Sequence, residues 1–316
     1  MKRPYVIGID AGGTKVAYGL FNNSGGIVDR RQHPTDAQAD GPKFSDKVVE
    51  TCELLMAENH LTIDDINGIG IIMPSHILYD EGLVLMTSSM PGIKDFRLRD
   101  HLRERLQTNV ILDNDANGAA LAEHRHGAGR GARHMVYIVI GTGLGSGIII
   151  DGKIFQGSYG WAGECGHMLA TPDKGILCGC ENKGCYMSYA SGKNISERVK
   201  AGLEGGYSSI LNPETADGYL LNEAYKACDP LAVRMVEQMA HYIGVCTYNI
   251  YQLLNINTYV FGGGLVNFGD SFMDTVRKEF NKYNHIRLPV HFRLAMLEKD
   301  VGIIGAAEMV ASIAID

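Results

Sequence analysis

The order of strands and glycine turns at the start of the chain occurs again in its middle, and this repetition limits the folds open to it. The first copy runs strand, glycine turn, strand, turn and strand at residues 5–10, 11–14, 15–21, 22–26 and 27–32. The second copy has the same order at residues 134–140, 141–143, 145–150, 151–152 and 153–156. Short apolar or alternating segments bounded by glycine are typical of strands joined by tight turns. We therefore predict a duplicated architecture, although the residues of the two copies align weakly.

The remaining periodic segments predict helices that alternate with further strands. Helices are predicted at residues 44–59, 98–106, 116–124, 231–254, 270–283 and 301–314. Strands are predicted at residues 66–72, 110–112, 258–261 and 290–294. Hairpin strands followed by alternating strands and helices indicate mixed sheets with helices packed on them. The chain is thus predicted to be an α/β protein, and two such units facing each other would form a cleft.

Each copy of the repeat carries a glycine turn that suits phosphate groups. In the first copy, Asp10 ends a strand and is followed by Gly12, Gly13 and Thr14. Glycine lets backbone N–H groups approach phosphate oxygens, the threonine hydroxyl is a further donor, and the aspartate is a ligand for Mg²⁺. The alternative is an ordinary β-turn beside a satisfied aspartate. The second glycine turn, at Gly141–Gly147, favours phosphate binding, because two hairpins can hold one polyphosphate from both sides.

Asp115 lies where a predicted strand ends and a helix begins. Side chains at such junctions face clefts in α/β proteins. A carboxylate there can accept a proton from a substrate hydroxyl, and it need not be strongly basic when the proton leaves late. The alternative role is that of a helix N-cap, for which Asp113, Asn114 and Asp115 are all candidates. Spacing alone favours the cap.

Three cysteines fall within eight residues, at Cys178, Cys180 and Cys185, and His167 lies eleven residues upstream of the first. Thiolates and one imidazole are the ligands of tetrahedral, structural Zn²⁺. The spacing differs from that of a zinc finger, and the alternative is three buried free thiols. Because three cysteines at glycine turns seldom cluster by chance, we predict a zinc knuckle. Cys165 is a near neighbour, but the other three fit better.

Composition excludes several classes of protein. The formal net charge of −7 argues against a nucleic-acid surface. No apolar run approaches the roughly 20 residues of a membrane span, and Lys2 and Arg3 lead straight into a short strand, unlike a signal peptide. An odd count of seven cysteines suits a reduced cytoplasmic protein better than a disulfide framework. The P-loop pattern is absent, and the glycines join two strands instead of opening a helix.

Taken together, the motifs resemble those of the ROK family of repressors, open reading frames and sugar kinases. The segments that carry the resemblance are Gly8–Lys15, Asn114–Asn117, Glu164–His167 and the cysteine knuckle, all in the family's order. The resemblance covers nearly the whole chain. It implies the actin/hexokinase-like ATPase fold, with two α/β lobes around a central cleft. The expected lobes are residues 1–115, with a C-terminal helix at about 301–316 packing back on them, and residues 116–300 with the knuckle.

The resemblance also implies ATP-dependent phosphorylation of a sugar, with Asp115 as the general base. Sugar hydroxyls would be held by Asn114, Glu164 and His167, and zinc by His167, Cys178, Cys180 and Cys185. Nucleotide and Mg²⁺ would lie against Asp10, Gly12, Gly13, Thr14, Lys15, Thr142, Gly143, Gly262, Gly263 and Gly264. The knuckle would fix the imidazole and Glu164 before the substrate arrives. We expect a cytoplasmic homodimer that binds neither nucleic acid nor membranes.

The chain departs from the family at the rim of the expected sugar pocket. Met187 stands where the family usually has glutamate, and Ser89 where it often has asparagine. His76 follows Pro74 and Ser75 where a Pro-Gly loop is usual, and Glu181 replaces a glycine of the knuckle. The alternative is neutral drift around a glucose site. We predict a different substrate, one with an apolar edge at Met187 and polar contacts from Ser89 and His76.

Two functions of different classes follow from the resemblance. The first is a carbohydrate kinase, and the second is a sugar-responsive regulator with little or no kinase activity. Repressors of the family carry an N-terminal helix-turn-helix, whereas the first strand here begins by Pro4. The retained Asp115 likewise favours the kinase. The sequence names neither the sugar nor the hydroxyl that is attacked.

Overall fold

The computed structural model describes residues 4–172, 175–297 and 299–313. Packing divides the chain into two units. Unit 1 comprises Met1–Arg133, Gly147–Ala162 and Met296–Asp316, and unit 2 comprises His134–Ser146 and Gly163–Ala295.

The strands and helices follow the alternation expected from the sequence. The strands are β1 (Tyr5–Ala11), β2 (Lys15–Asn22), β3 (Ile27–Pro34), β4 (Ile66–Met73), β5 (Ser75–Leu78), β6 (Leu83–Thr87), β7 (Val110–Asn114), β8 (Met135–Ile140), β9 (Leu144–Ile150), β10 (Lys153–Ile154), β11 (Thr258–Gly262) and β12 (His291–Leu294). The helices are α1 (Gly41–Glu58), α2 (Leu98–Leu106), α3 (Asp115–His126), α4 (Tyr186–Ala190), α5 (Ile195–Glu204), α6 (Gly218–Lys226), α7 (Pro230–Leu254), α8 (Asp270–Asn281) and α9 (Val301–Ile313).

The two five-stranded sheets have the same topology. The first has the strand order β3-β2-β1-β4-β7, and the second has the order β10-β9-β8-β11-β12. In the first sheet β1, β2 and β3 are antiparallel neighbours, and β4 and β7 continue parallel to β1. In the second, β10 is antiparallel to β9, and β11 is parallel to both β8 and β12. The predicted duplication is therefore confirmed at the level of topology.

The register of the first sheet aligns the candidate site residues of unit 1. Asp10 pairs with Ile72 of β4, and Ile72 pairs in turn with Asp113 of β7. Since β1, β4 and β7 are parallel, their carboxyl ends lie along one edge of the sheet. The glycine turn after β1 and the β7–α3 junction therefore share that edge.

Helix α9 lies directly on the first sheet. A side-chain carbon at Gly8 of β1 would lie 2.1 Å from the carbonyl oxygen of Ile303, and one at Gly70 of β4 would lie 1.8 Å from that of Ala306. Both distances are far below van der Waals contact, so these strand positions accept only glycine. The other face of the sheet packs on α1 and α2 through buried side chains that include Ile9, Leu55 and Leu102.

The parallel strands of unit 2 position two glycine turns in the same way. Gly262 of β11 pairs with Val139 of β8, so the turn after β11 begins beside the turn after β8. The long helix α7 starts at Pro230, where its N-cap Asp229 accepts a hydrogen bond from the backbone N–H of Ala232.

Three features differ from the sequence-based expectation. The hairpin β5–β6 and the helices α4, α5 and α6 were not anticipated, and the strand expected at 153–156 covers only Lys153–Ile154. Residue 314, expected in the last helix, lies outside the described residues. Among the described helices, none combines the length and the apolarity needed to cross a bilayer.

Candidate active site

The first glycine turn is held by bonds to its carbonyl groups. The Thr35 hydroxyl donates to the carbonyl oxygen of Gly12 at 2.7 Å, and the Thr35 backbone N–H donates to that of Thr14 at 3.0 Å. Gly13 and Thr14 are exposed. Lys15 is exposed too, and its ammonium lies 3.4 Å from Oε1 of Gln32. The turn thus presents an ordered loop with exposed backbone at the expected phosphate position.

The Asp10 carboxylate is largely enclosed. Burial raises its pKa, and the charge of Lys15 offsets part of that rise. A side-chain carbon at Gly302, in the first turn of α9, would lie 2.2 Å from Oδ2 of Asp10. The carboxylate therefore lies at the amino end of α9, where the helix dipole favours negative charge.

Helix α3 is capped by Asn114, the last residue of β7. Asn114 is extended, with φ −70° and ψ 148°, and its Oδ1 accepts a hydrogen bond from the N–H of Ala116 at 2.8 Å. Asp115 is the first helical residue, and its Oδ1 also lies 2.9 Å from that N–H. Of the three cap candidates, the structure selects Asn114, so the N-cap alternative for Asp115 is wrong. Its role as a base stays a prediction.

Asp113 lies beneath this junction and is only 2% exposed. Its Oδ1 accepts hydrogen bonds from the Asn114 N–H at 2.6 Å and from Nδ2 of Asn117 at 2.9 Å, and its Oδ2 accepts one from Nε2 of Gln156 at 2.7 Å. Burial outweighs these three donors and raises the Asp113 pKa to about 6. From the sequence, Asp113 was a candidate only for the helix cap. Gln156 could not be identified from the sequence, because the role of Gln156 depends on its non-local bond to Asp113.

The predicted rim residues of unit 1 lie on or beside the hairpin β5–β6. Nδ2 of Asn114 donates to the carbonyl oxygen of Ser75 at 3.3 Å, which joins the start of the hairpin to the β7–α3 junction. The Thr87 hydroxyl bonds to both the Pro74 carbonyl oxygen and the Ser89 hydroxyl. A side-chain carbon at Gly13 would lie 3.4 Å from Cβ of Ser89, so Ser89 is next to the glycine turn. His76 follows Ser75, and its ring contacts Trp161.

In unit 2, the second glycine turn is bonded to the segment before α5. The N–H groups of Gly192 and Lys193 donate to the carbonyl oxygens of Gly141 and Thr142 at 2.8 and 3.0 Å. Thr142 and Gly143 are exposed. This support from residues 191–193 was not anticipated, since a Ser-Gly-Lys run in a loop is not a distinctive signal.

The turn after β11 lies against the same region of unit 2. Gly263 has a positive φ of 90°, and a side-chain carbon there would lie 2.4 Å from the carbonyl oxygen of Ile140. Ile140 directly precedes Gly141. The structure therefore brings Gly262–Gly264 next to the second glycine turn. The positive φ and the close carbonyl oxygen of Ile140 together explain why residue 263 is glycine.

The predicted knuckle residues come together in unit 2. The ligand atoms of His167, Cys178, Cys180 and Cys185 all lie within 4.8 Å of one another. Nδ1 of His167 lies 3.7 Å from Sγ of Cys178, and the sulfurs of Cys180 and Cys185 are 3.6 Å apart. Burial, followed by the neighbouring sulfurs, raises the Cys185 pKa to about 12. Without a cation, the thiolate form of Cys185 is therefore disfavoured.

Met187 lies between two predicted site segments of unit 2. Its sulfur is 3.0 Å from the backbone N of Leu144 and would be 3.6 Å from a side-chain carbon at Gly143. Its methyl group would be 3.0 Å from one at Gly166, which lies between Glu164 and His167. Met187 therefore contacts the second glycine turn as well as the Glu164–His167 segment.

The class of protein is defined by two topologically equivalent sheets, each with a glycine turn after its first strand, and by a carboxylate at a strand–helix junction. This is a protein of the actin/hexokinase-like ATPase fold, as its structural neighbours confirm. The chain belongs to the ROK family, whose sequence profile matches residues 6–313.

Individual relatives resemble the chain over nearly its full length. It is 33% identical over 317 residues to the glucokinase of Halalkalibacterium halodurans, which covers 98% of this chain and 96% of the relative. A ROK hexokinase from Thermus thermophilus has a TM-score of 0.84 and 29% identity, covering 98% of this chain and 99% of that one. A ROK family glucokinase from Streptomyces griseus, in complex with glucose and AMPPNP, has a TM-score of 0.78 and 29% identity over the same shares.

Proposed function

We propose that the protein is an ATP-dependent kinase that phosphorylates a hydroxyl of a sugar. One observation carries this proposal: Asn114 caps α3, which puts Asp115 at the sheet edge that also carries Asp10 and the first glycine turn. The relatives support the same reaction class, since they include a glucokinase and a structure with glucose and AMPPNP.

In the proposed reaction, the Asp115 carboxylate accepts the proton of the acceptor hydroxyl. The hydroxyl oxygen bonds to the γ-phosphorus, the bond to the bridging β–γ oxygen breaks, and ADP leaves with that oxygen's electron pair. Because the transition state is loose, the proton moves late, and a carboxylate of ordinary basicity is sufficient. Asn114 orients the acceptor, and backbone N–H groups at Gly12–Thr14 and at Thr142–Gly143 bind phosphate oxygens. Mg²⁺ held at Asp10 would supply charge neutralisation.

The remaining assignments are proposals of the same kind. Glu164 and His167 bind sugar hydroxyls, Lys15 adds positive charge near the nucleotide phosphates, and Gly262–Gly264 contact the adenosine. We also propose a homodimer in the cytoplasm.

We further propose that the knuckle holds structural Zn²⁺. With Zn–S and Zn–N bonds of about 2.3 and 2.0 Å, tetrahedral ligand atoms lie about 3.5–3.8 Å apart. The separations of 3.7 Å between His167 and Cys178 and of 3.6 Å between Cys180 and Cys185 fit that geometry. Coordination through Nδ1 leaves Nε2, on the other side of the imidazole, to a sugar hydroxyl. Zn²⁺ would fix the ring and stabilise the thiolates.

The changed rim suggests an acceptor other than glucose. A thioether at Met187 cannot pair a sugar hydroxyl as a glutamate does, because sulfur is a weak acceptor. The contact of its sulfur with the Leu144 N–H also uses that limited capacity. We propose an acceptor with an apolar edge at Met187 and hydroxyls near Ser89 and His76.

A screen of ATP consumption over hexoses, N-acetylhexosamines, ketoses and polyols tests the proposal, with Asp115→Asn as the matched variant. The amide keeps the shape of the side chain but cannot take the proton. We expect kcat to fall by roughly 10²–10⁴ with nucleotide binding little changed. A sugar-responsive regulator would instead bind a sugar without consuming ATP. A near-normal kcat in the variant would remove Asp115 from the mechanism.

A further inference from the structure

The second glycine turn is held by a segment that follows the proposed zinc ligands closely in the chain. The Gly192 N–H donates to the carbonyl oxygen of Gly141 at 2.8 Å. The Lys193 N–H donates to that of Thr142 at 3.0 Å. Both donors come directly after α4, and Cys185 is the N-cap residue of that helix. One short helix therefore separates a proposed zinc ligand from the bonds that hold the turn.

The far end of the turn, at Leu144, contacts neighbours of two other proposed ligands. The Leu144 N–H group lies 3.0 Å, measured from its nitrogen, from the sulfur of Met187, which is two residues after Cys185. A side-chain carbon at Gly166, the residue before His167, would lie 2.1 Å from the carbonyl oxygen of Leu144. The knuckle segments therefore contact the second glycine turn at both of its ends.

The side chain of Lys193 reaches back to the knuckle. A side-chain carbon at Gly179, the residue between Cys178 and Cys180, would lie 3.3 Å from the Lys193 ammonium. Three thiolates, a neutral imidazole and Zn²⁺ leave one net negative charge on a loaded knuckle. A cation beside the ligands stabilises that charge, as neighbours of metal ligands commonly do. Lys193 thus joins two sites, through its backbone at Thr142 and through its ammonium at the knuckle.

A metal at the knuckle would restrict the chain that holds the second glycine turn. Bonds to His167 and to the three cysteines would tie residues 167–185 together, because each ligand loses conformational freedom on coordination. That segment leads directly into α4 and then into Gly192 and Lys193, so the two donors would be in place before a nucleotide arrives. A turn that is already ordered loses less conformational entropy when it binds phosphate.

We propose that zinc at the knuckle and a nucleotide at the second glycine turn bind cooperatively, with Lys193 as the positioning residue that links the two sites. The inference rests on the proposed function, because it takes nucleotide phosphates at Thr142 and Gly143 as given. It adds a role on the phosphate-donor side to a metal that the proposed function assigns to the sugar side through His167. Coupling is reciprocal, so the nucleotide must strengthen zinc binding by the factor with which zinc strengthens nucleotide binding.

Zinc competition measures this coupling without turnover. The zinc-loaded natural protein is titrated with a zinc-selective chelator in the presence of Mg²⁺, with and without AMPPNP. The AMPPNP Kd is measured by calorimetry at high and at low zinc occupancy. We expect saturating AMPPNP to lower the zinc Kd about 5-fold, and zinc to lower the AMPPNP Kd by the same factor.

The outcomes separate this inference from the proposed function. An AMPPNP Kd that is independent of zinc occupancy overturns the inference and leaves the proposed function standing. A natural protein that holds no zinc does the same. A zinc-loaded protein that binds no AMPPNP overturns both proposals.

Variants of Lys193 separate a local link from a general effect of the metal on folding. Lys193→Gln removes the ammonium but keeps the backbone bond, so we expect the coupling factor to fall below about 2-fold. KM for Mg·ATP should rise, with kcat and KM for the acceptor little changed. Lys193→Arg should restore both the coupling and KM, and Lys200→Gln, at an exposed lysine of α5, should alter neither.

AMPPNP is supplied at the same multiple of each protein's Kd, so that its general stabilisation of the folded state is equal in all of them. An unchanged coupling factor in Lys193→Gln would then show that zinc and nucleotide are linked only through folding, and would overturn the proposal.

Discussion

Replacement of Asp113 by asparagine tests whether burial or hydrogen bonding controls the charge beneath the candidate base. Burial raises the Asp113 pKa from 3.8 to about 6, although three donors face the carboxylate. Because the pKa is higher in the folded chain, the protonated form is the one that folding favours. The stabilisation is complete below pH 3.8 and disappears as the pH rises through about 6. The full difference between the two pKa values corresponds to about 3 kcal/mol.

The measurable part of this effect lies between pH 5.0 and 7.5. At pH 5.0 the linkage contributes roughly 1 kcal/mol to the free energy of unfolding, and at pH 7.5 it contributes almost nothing. Asp113→Asn cannot titrate, so the natural protein should gain roughly 1 kcal/mol over the variant when the pH is lowered. Urea unfolding of both proteins at the two pH values measures the difference. Asp270→Asn, at an exposed residue in the first turn of α8, serves as the matched control.

The size of the double difference is decisive. If the three donors outweighed burial, the Asp113 pKa would lie below 3.8, and the natural protein would lose stability relative to the variant only below about pH 5. A double difference near zero between pH 7.5 and 5.0 would therefore refute the argument from burial.

Three further variants test the remaining assignments. Met187→Glu should raise kcat/KM on glucose at least several-fold, because a carboxylate can pair a sugar hydroxyl. Met187→Gln serves as the control for side-chain length, and efficient glucose phosphorylation by the natural protein would show that Met187 does not set specificity. Metal analysis should find about one zinc per chain in the natural protein, and Cys180→Ser should lose the zinc together with thermal stability and sugar affinity. Cys228→Ser, at an exposed free cysteine, should keep all three. A zinc-free natural protein would contradict the site. Gly302→Ala should raise KM for Mg·ATP, since the new methyl group meets Oδ2 of Asp10 at 2.2 Å; an unchanged KM would separate that carboxylate from nucleotide binding.

Local signals account for most of what the sequence predicted. The glycine turns and apolar runs gave both copies of the strand order, because tight turns and period-two burial are properties of neighbouring residues. The cysteine spacing likewise gave the cluster of His167 with three thiols. The helix after β7 was also expected, but three adjacent residues were equally suitable as its cap. Only the extended backbone of Asn114 resolved that choice.

Features that depend on distant contacts were missed. The hairpin β5–β6 has two short strands, and α4 has five residues, so neither gives a strong periodic signal. The bond from Gln156 to Asp113 joins residues 43 positions apart. Trp161 was not singled out in the sequence, since its indole is held by a hydrogen bond to the carbonyl oxygen of Ile77, 84 residues away. These contacts exist only after the chain has folded.

The close seating of α9 on Gly8 and Gly70 has a consequence for synthesis on the ribosome. The strands β1 and β4 emerge early, but the helix that covers their glycine positions is translated only after all of unit 2. Until residues 301–313 appear, one face of the first sheet lacks its cover, and an uncovered sheet is prone to aggregation. Unit 2 needs no such late segment and can fold first. The nascent chain should therefore depend on chaperones through its amino-terminal part, and removal of α9 should lower the folding yield.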